Sequence, residues 1–175
     1  MARSLGNTIA DALQLSLGYA ERLMAGIDAG NAARFASPGG QTVESNHPAF
    51  IFGHLSLYPP RILGQLGRDD LVTSVPAGFQ DVFSKDAKCV DDPDGSIYPP
   101  IDVVARHFRD GYANAVTALR EVADDVLQQP NPAEGRMAEL FPTMGSMHAF
   151  YVGGHMMMHL GQLSAWRRMQ GLGPA

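Results

Sequence analysis

The sequence predicts an all-α fold, a four-helix bundle with long inter-helix loops, built as a single domain over residues 1–175. Three observations predict it. Four stretches carry apolar residues at steps of three and four, the period of one helix face. No stretch alternates apolar and polar residues as a half-buried strand does. Proline- and glycine-rich segments separate the four stretches, and four amphipathic helices in one small domain bury their stripes most simply against one another. Up-down and crossover topologies both remain open.

The first helix is expected from residue 4 to residue 27. Ser4 is a suitable N-cap, and Ile9, Leu13, Leu17, Ala20, Met24 and Ile27 form the stripe. Gly30 and Ser37-Pro38-Gly39-Gly40 close the segment as loop. The second helix begins near Asn46-His47-Pro48, with asparagine as N-cap and proline tolerated in the first turn. Pro59 and Pro60 fall inside it. The ring of Pro59 presses on the carbonyl of Leu55, so a kink or break is expected one residue beyond His54, with the helix resuming through Ile62, Leu63 and Leu66.

Residues 67–98 hold no long period and read as a loop, with a short helix near Phe79 to Lys85, covering one end of the bundle. The third helix is expected from Pro99 to Gln128, its stripe running through Ile101, Val104, Phe108, Gly111, Ala115, Leu119, Val122 and Val126. Gly111 and Ala115 let a neighbour approach closely. Ala133 to Leu140 offers one or two further turns. Pro142 and Thr143 start the fourth helix, which has no internal proline before Gly171, Gly173 and Pro174 stop it. Arg167 and Arg168 sit in its last turn, where cations favour the macrodipole.

Composition narrows the function. A net charge of -5 and a pI near 5.6 leave no basic footprint for nucleic acid. Cys89 is the only cysteine, which excludes an internal disulfide framework and a Cys-cluster zinc site and fits a reducing compartment. The first residues lack the apolar run of a signal peptide, and no stretch approaches the roughly 20 apolar residues of a membrane span. A soluble cytoplasmic protein with no membrane partner is expected. Met137, Met144, Met147, Met156, Met157 and Met158 crowd the C-terminal quarter, where methionine fills irregular core gaps.

The chemistry concentrates in the fourth helix. His155 and His159 are four residues apart, on one face and one turn above the other, so both imidazoles can bite one metal ion. A histidine on an apolar face is more often a hydrogen-bonded core residue, but the paired spacing favours ligation. A third ligand must come from elsewhere, and helix 2 offers His47 and His54. His54 is preferred, because it lies mid-helix between apolar neighbours. His47, at the helix start, reads as exposed or as a capping neighbour, and His107 as surface. In an unbroken helix His148 lies two turns before His155 on the same face, about 10 Å away. That is too far to share an ion but right for the wall of the same cavity, as a proton shuttle or as a core residue. Tyr151 and Trp166 line a pocket or pack in the core.

Several familiar sites are excluded. His155-Met156-Met157-Met158-His159 lacks the glutamate of H-E-x-x-H. The ferritin-like carboxylate set needs two Glu-x-x-His motifs, and the one match, Glu44 to His47, lies at a loop boundary. There is no Cys-x-x-Cys-His for covalent haem.

Asn46-His-Pro, Phe52-Gly-His-Leu55, His155-x-x-x-His159-x-Gly161-Gln162-Leu163, Arg168 and Gly171-Leu-Gly-Pro174 together resemble the DinB-like superfamily of metal-binding four-helix bundles. The resemblance implies that His54, His155 and His159 hold a divalent ion, zinc or nickel, and that the chain is a homodimer. It also implies kinship with S-transferases or isomerases that use small cellular thiols. Leu160 stands where many members of that family carry arginine. The function expected is a divalent-metal-binding protein with an open three-histidine site, a metal-dependent S-transferase or hydrolase that activates a small thiol or water against a small-molecule substrate. The alternative is a non-catalytic metal- or ligand-binding bundle: a sensor, a store, or a haem or copper carrier.

Overall fold

A computed structural model describes residues 3–175. Among them the fold is all-helical; the only ladder-type pairings are isolated bridges at Ala36–Val43 and Pro130–Thr143. The elements are α1 (Leu5–Leu23), α2 (Pro48–Ser56), α3 (Pro59–Gln65), α4 (Phe79–Phe83), α5 (Ile101–Glu121), α6 (Asp124–Leu127), α7 (Arg136–Leu140), α8 (Met144–Ala149) and α9 (Met156–Met169). A π-helical turn, Phe150–His155, joins α8 to α9. No helix among the described residues is long and apolar enough to cross a membrane.

Ser4 caps α1 as expected, accepting from the Asn7 amide at 3.1 Å. Ala10, Leu13, Ala20 and Leu23 bury its inner face against α5 and α9. The cap of α2 differs from expectation: the imidazole of His47, not Asn46, accepts from the Phe50 amide at 3.2 Å. Its other ring nitrogen donates to the Val90 carbonyl at 3.0 Å, and the residue is wholly buried rather than exposed.

The proline pair breaks the second helix, at Leu57 and Tyr58. The break falls later than the Leu55 carbonyl because the Tyr58 amide takes that carbonyl at 3.2 Å in a tighter turn. Pro59 then needs no partner and opens α3. Gly111 admits a close neighbour as expected, and that neighbour is Pro59: a Cβ on Gly111 would lie 3.0 Å from the proline ring.

The long loop is tied down by two carboxylates, half-buried Asp91 and buried Asp92. Asp91 accepts from the Phe35 amide and from the Arg34 guanidinium; Asp92 accepts the amides of Ser96, Ile97 and Tyr98. Burial works against the Asp92 anion, but the converging amides hold its carboxyl below the usual range. The short helix expected within this loop is α4.

Two expected helices are interrupted. α5 ends at Glu121, because Val122 is extended (ψ 138°) and Asp124 turns away to accept the Leu5 amide at 2.8 Å. The fourth helix opens on a capping box between Thr143 and Ser146 but widens into the π turn at Phe150–His155. That turn contains Gly153 and Gly154, and glycine lowers the cost of leaving α geometry. The wider turn rotates fewer degrees per residue, so His148 and His155 lose the shared face that an unbroken helix predicts.

Arg167 does more than favour a dipole. It is buried and donates to the carbonyls of Leu23 and Ala25, satisfying orphan acceptors at the end of α1, and to the carbonyl of Leu172 just past its own helix. Trp166 is core, its indole donating to the Arg34 carbonyl at 2.9 Å.

Candidate metal centre

α2 and the π turn running into α9 bring His54, His155 and His159 together. All three are buried, and one ligand atom from each lies within 4.8 Å of the other two. His47, His107 and His148 are not part of this group.

The outward hydrogen bonds of two rings fix which nitrogen faces inward. His54 Nδ1 lies 2.8 Å from the Phe83 carbonyl, which only accepts, so Nδ1 carries the proton and Nε2 presents a lone pair. His159 Nδ1 pairs with Gln162 Oε1 at 3.0 Å, and the same oxygen accepts from Asn46 Nδ2 at 3.1 Å. Metal-ligating histidines characteristically donate their second ring nitrogen to a carbonyl or carboxylate in this way, which sets tautomer and ring angle. His155 completes the set with its Nε2 3.3 Å from His54 Nε2.

That spacing fits a shared ion. Tetrahedral bonds of about 2.0–2.1 Å place two ligand nitrogens about 3.3–3.4 Å apart. Without an ion, the one lone pair of His54 Nε2 is contested by His155 Nε2 and the Tyr58 hydroxyl, each at 3.3 Å, and His155 Nδ1 is buried with no partner in either case. Burial, then the neighbouring His159 and His54, push the His155 imidazole down to about 3. Burial also lowers His54 and His159. All three rings are therefore neutral at physiological pH, the form that binds metal.

Gly53 builds part of this geometry. A Cβ there would lie 2.5 Å from the Phe83 ring, so only glycine lets α4 seat against α2 and deliver the Phe83 carbonyl to His54. Gly53→Ala is expected to weaken metal binding roughly tenfold or more, as loss of an orienting carbonyl does. It should also cost about 1–3 kcal/mol through overpacking. Isothermal titration with zinc and a denaturant midpoint measure the two effects.

Tyr58 and Arg61 extend the site and went unread in the sequence. The Tyr58 hydroxyl lies 3.3 Å from His54 Nε2, and Arg61 donates to the Tyr151 hydroxyl at 3.1 Å. Tyr58 follows His54 by four residues, a spacing that places both on one face and could have flagged it. A cleft of about 260 Å³ reaches His54 past Tyr58 and Arg61. A second, of about 270 Å³, reaches His54 and His159 past Asn46 and Ala87.

The remaining sequence candidates stand apart. His148 is fully buried, neither ring nitrogen has a partner, and burial pushes its imidazole down to about 4. Cys89 is no nucleophile, since burial pushes its thiol up to about 11. Compared with known proteins, the chain matches no family model, no curated protein and no solved structure.

Proposed function

We propose that this chain is a divalent-metal-binding four-helix bundle of the DinB-like kind, holding zinc or nickel on His54, His155 and His159 and using it to activate a small thiol or water against an electrophile. One observation carries the reading: three neutral, buried imidazoles converge while two of them spend their outer nitrogens on the Phe83 carbonyl and Gln162. Three protein ligands leave a coordination position open, the pattern of catalytic rather than structural zinc. An ion so held, with no anionic ligand to offset its charge, would lower the pKa of a thiol or water that took the open position.

The chain's own residues supply the rest. Phe83 and Gln162 fix the ring angles of His54 and His159. The phenol of Tyr58, kept protonated by burial and by the neighbouring Tyr151, offers a hydrogen-bond donor beside His54. With Cys89 half-buried and its thiol kept protonated, a thiol nucleophile comes from solution through one of the two clefts. The converging group holds three histidines and no glutamate, which argues against peptide hydrolysis.

Elemental analysis of the purified, untagged protein tests the reading. About one zinc or nickel ion per chain is expected, with thiol consumption in the presence of a reactive electrophile that stops when the ion is chelated and resumes on its return. A chain that stays metal-free after incubation with both ions would sink the proposal.

A further inference from the structure

The cleft on the Tyr58 side of His54 carries an unbalanced positive charge. Arg61, Lys85 and Asp86 are its ionisable lining besides His54 and Tyr58. Lys85 and Asp86 lie 3.5 Å apart, are both largely exposed, and offset one another. Arg61 has no carboxylate within ion-pair reach among the described residues. Its guanidinium is held instead by a neutral group, the hydroxyl of buried Tyr151 at 3.1 Å. Tyr151 belongs to the π turn and packs on Tyr58 with ring centroids 5.1 Å apart, and Tyr58 in turn reaches His54. The interruption of the fourth helix thus places one tyrosine so that it positions a cation at the mouth of the site.

An arginine fastened by one donor keeps the remaining N–H groups of its planar fork for another acceptor. A carboxylate matches that fork in shape and charge. The geometry points to Arg61 as an anion subsite: the ligand that enters the Tyr58-side cleft carries a carboxylate, which Arg61 binds while the other end of the ligand faces the three histidines. The inference rests on the metal reading above and adds to it the charge of the ligand. The second cleft has no counterpart to Arg61 in its lining of Asn46, Phe50, His54, Ser84, Lys85, Ala87 and His159, apart from the Lys85 that both clefts share.

Cobalt(II)-loaded protein provides the test, because a thiolate bound to cobalt gives a charge-transfer band that reports occupancy without any turnover. The probes are mercaptopropionate and mercaptohexanoate against mercaptoethanol, mercaptohexanol and cysteamine, which vary charge at two lengths. At least one of the two acids is expected to bind about 5- to 20-fold tighter than its matched alcohol, the range for a charged hydrogen bond at a partly solvated site. Cysteamine should bind weakest. In Arg61→Gln the acid and its alcohol should bind alike, with the cobalt affinity unchanged. Arg61→Lys should restore part of the preference, and Lys85→Gln should leave most of it. Acids and alcohols binding alike to the native chain, or a preference that survives Arg61→Gln, would overturn the subsite and leave the metal reading standing. Failure of the cobalt spectrum to form, or its survival in His155→Ala, would overturn the metal reading and the subsite together.

Discussion

Single alanine replacements of His54, His155 and His159 are each expected to weaken zinc binding on the order of 10²- to 10³-fold. A four-ligand zinc site is worth about 10–16 kcal/mol, so one ligand corresponds to roughly 2.5–4 kcal/mol. The metal-free proteins should separate the three variants further. His54 and His159 each make an outward hydrogen bond, to Phe83 and to Gln162, and removing either ring leaves that partner to find another. His155 makes no such bond; its Nδ1 is buried without a partner, and its ring crowds two other imidazoles. His155→Ala should therefore cost the apo protein least while abolishing most of the stabilisation that zinc confers. Gln162→Leu, which frees the outer nitrogen of His159 but keeps the ligand, should cost only about 10- to 100-fold in affinity. Calorimetric zinc titration and thermal melts with and without zinc read both quantities. Equal zinc stabilisation in the native chain and in His155→Ala would remove His155 from the site.

The candidate triad was legible in the sequence because each member obeys a local rule. His155 and His159 follow the helix period, and His54 sits on an apolar face where an unbonded imidazole has no reason to be. The support of those ligands was harder to read. The partner of His54 is a backbone carbonyl 29 positions away, and a carbonyl has no sequence signature. Gln162 lies three residues from His159, within the resembling motif, yet its bond to Asn46 joins residues 116 positions apart. Asn46 reads as a helix cap on propensity, and the actual cap is His47, whose imidazole gains a second bond to Val90 that only the folded loop provides.

The interruptions follow the same division. The break before Pro59 follows from the chemistry of proline and was misplaced only by the tighter turn that intervenes. The π turn has no such signature: Gly153 faces open space and Gly154 meets only the Phe150 ring, and a glycine pair by itself says only that a departure from α geometry is cheap. The early end of α5 is set by Asp124 accepting the Leu5 amide, a contact over 119 positions.

Acid should unfold this protein steeply, and His148 should set part of the slope. The ordinary imidazole value of 6.5 applies to the unfolded chain, while burial pushes His148 down to about 4 in the folded one. As pH falls below about 6.5 the unfolded chain takes up a proton that the native chain refuses. Stability that is complete above that pH is therefore lost on acidification, at about 1.4 kcal/mol per pH unit, and totals about 3 kcal/mol for His148 by pH 4. His47, His54, His155 and His159 are lowered in the same direction, each with burial as the leading cause. Five such groups give a limiting slope of about 7 kcal/mol per pH unit, against a total stability of about 5–15 kcal/mol for a domain. A cooperative acid transition that sets in below about pH 6.5 follows for the metal-free chain. Zinc should move it to lower pH, since an ion on His54, His155 and His159 must be displaced before those rings protonate. His148 lies outside that group, so its share is insensitive to zinc. Neither of its nitrogens has a partner to lose, so His148→Leu should leave stability at neutral pH unchanged or higher. The same variant should shift the acid midpoint downward by several tenths of a pH unit, with and without zinc. Circular dichroism across an acid titration reads the shift. An unmoved midpoint would mean that His148 takes up its proton in the native state, through a partner or an opening that its burial does not reveal.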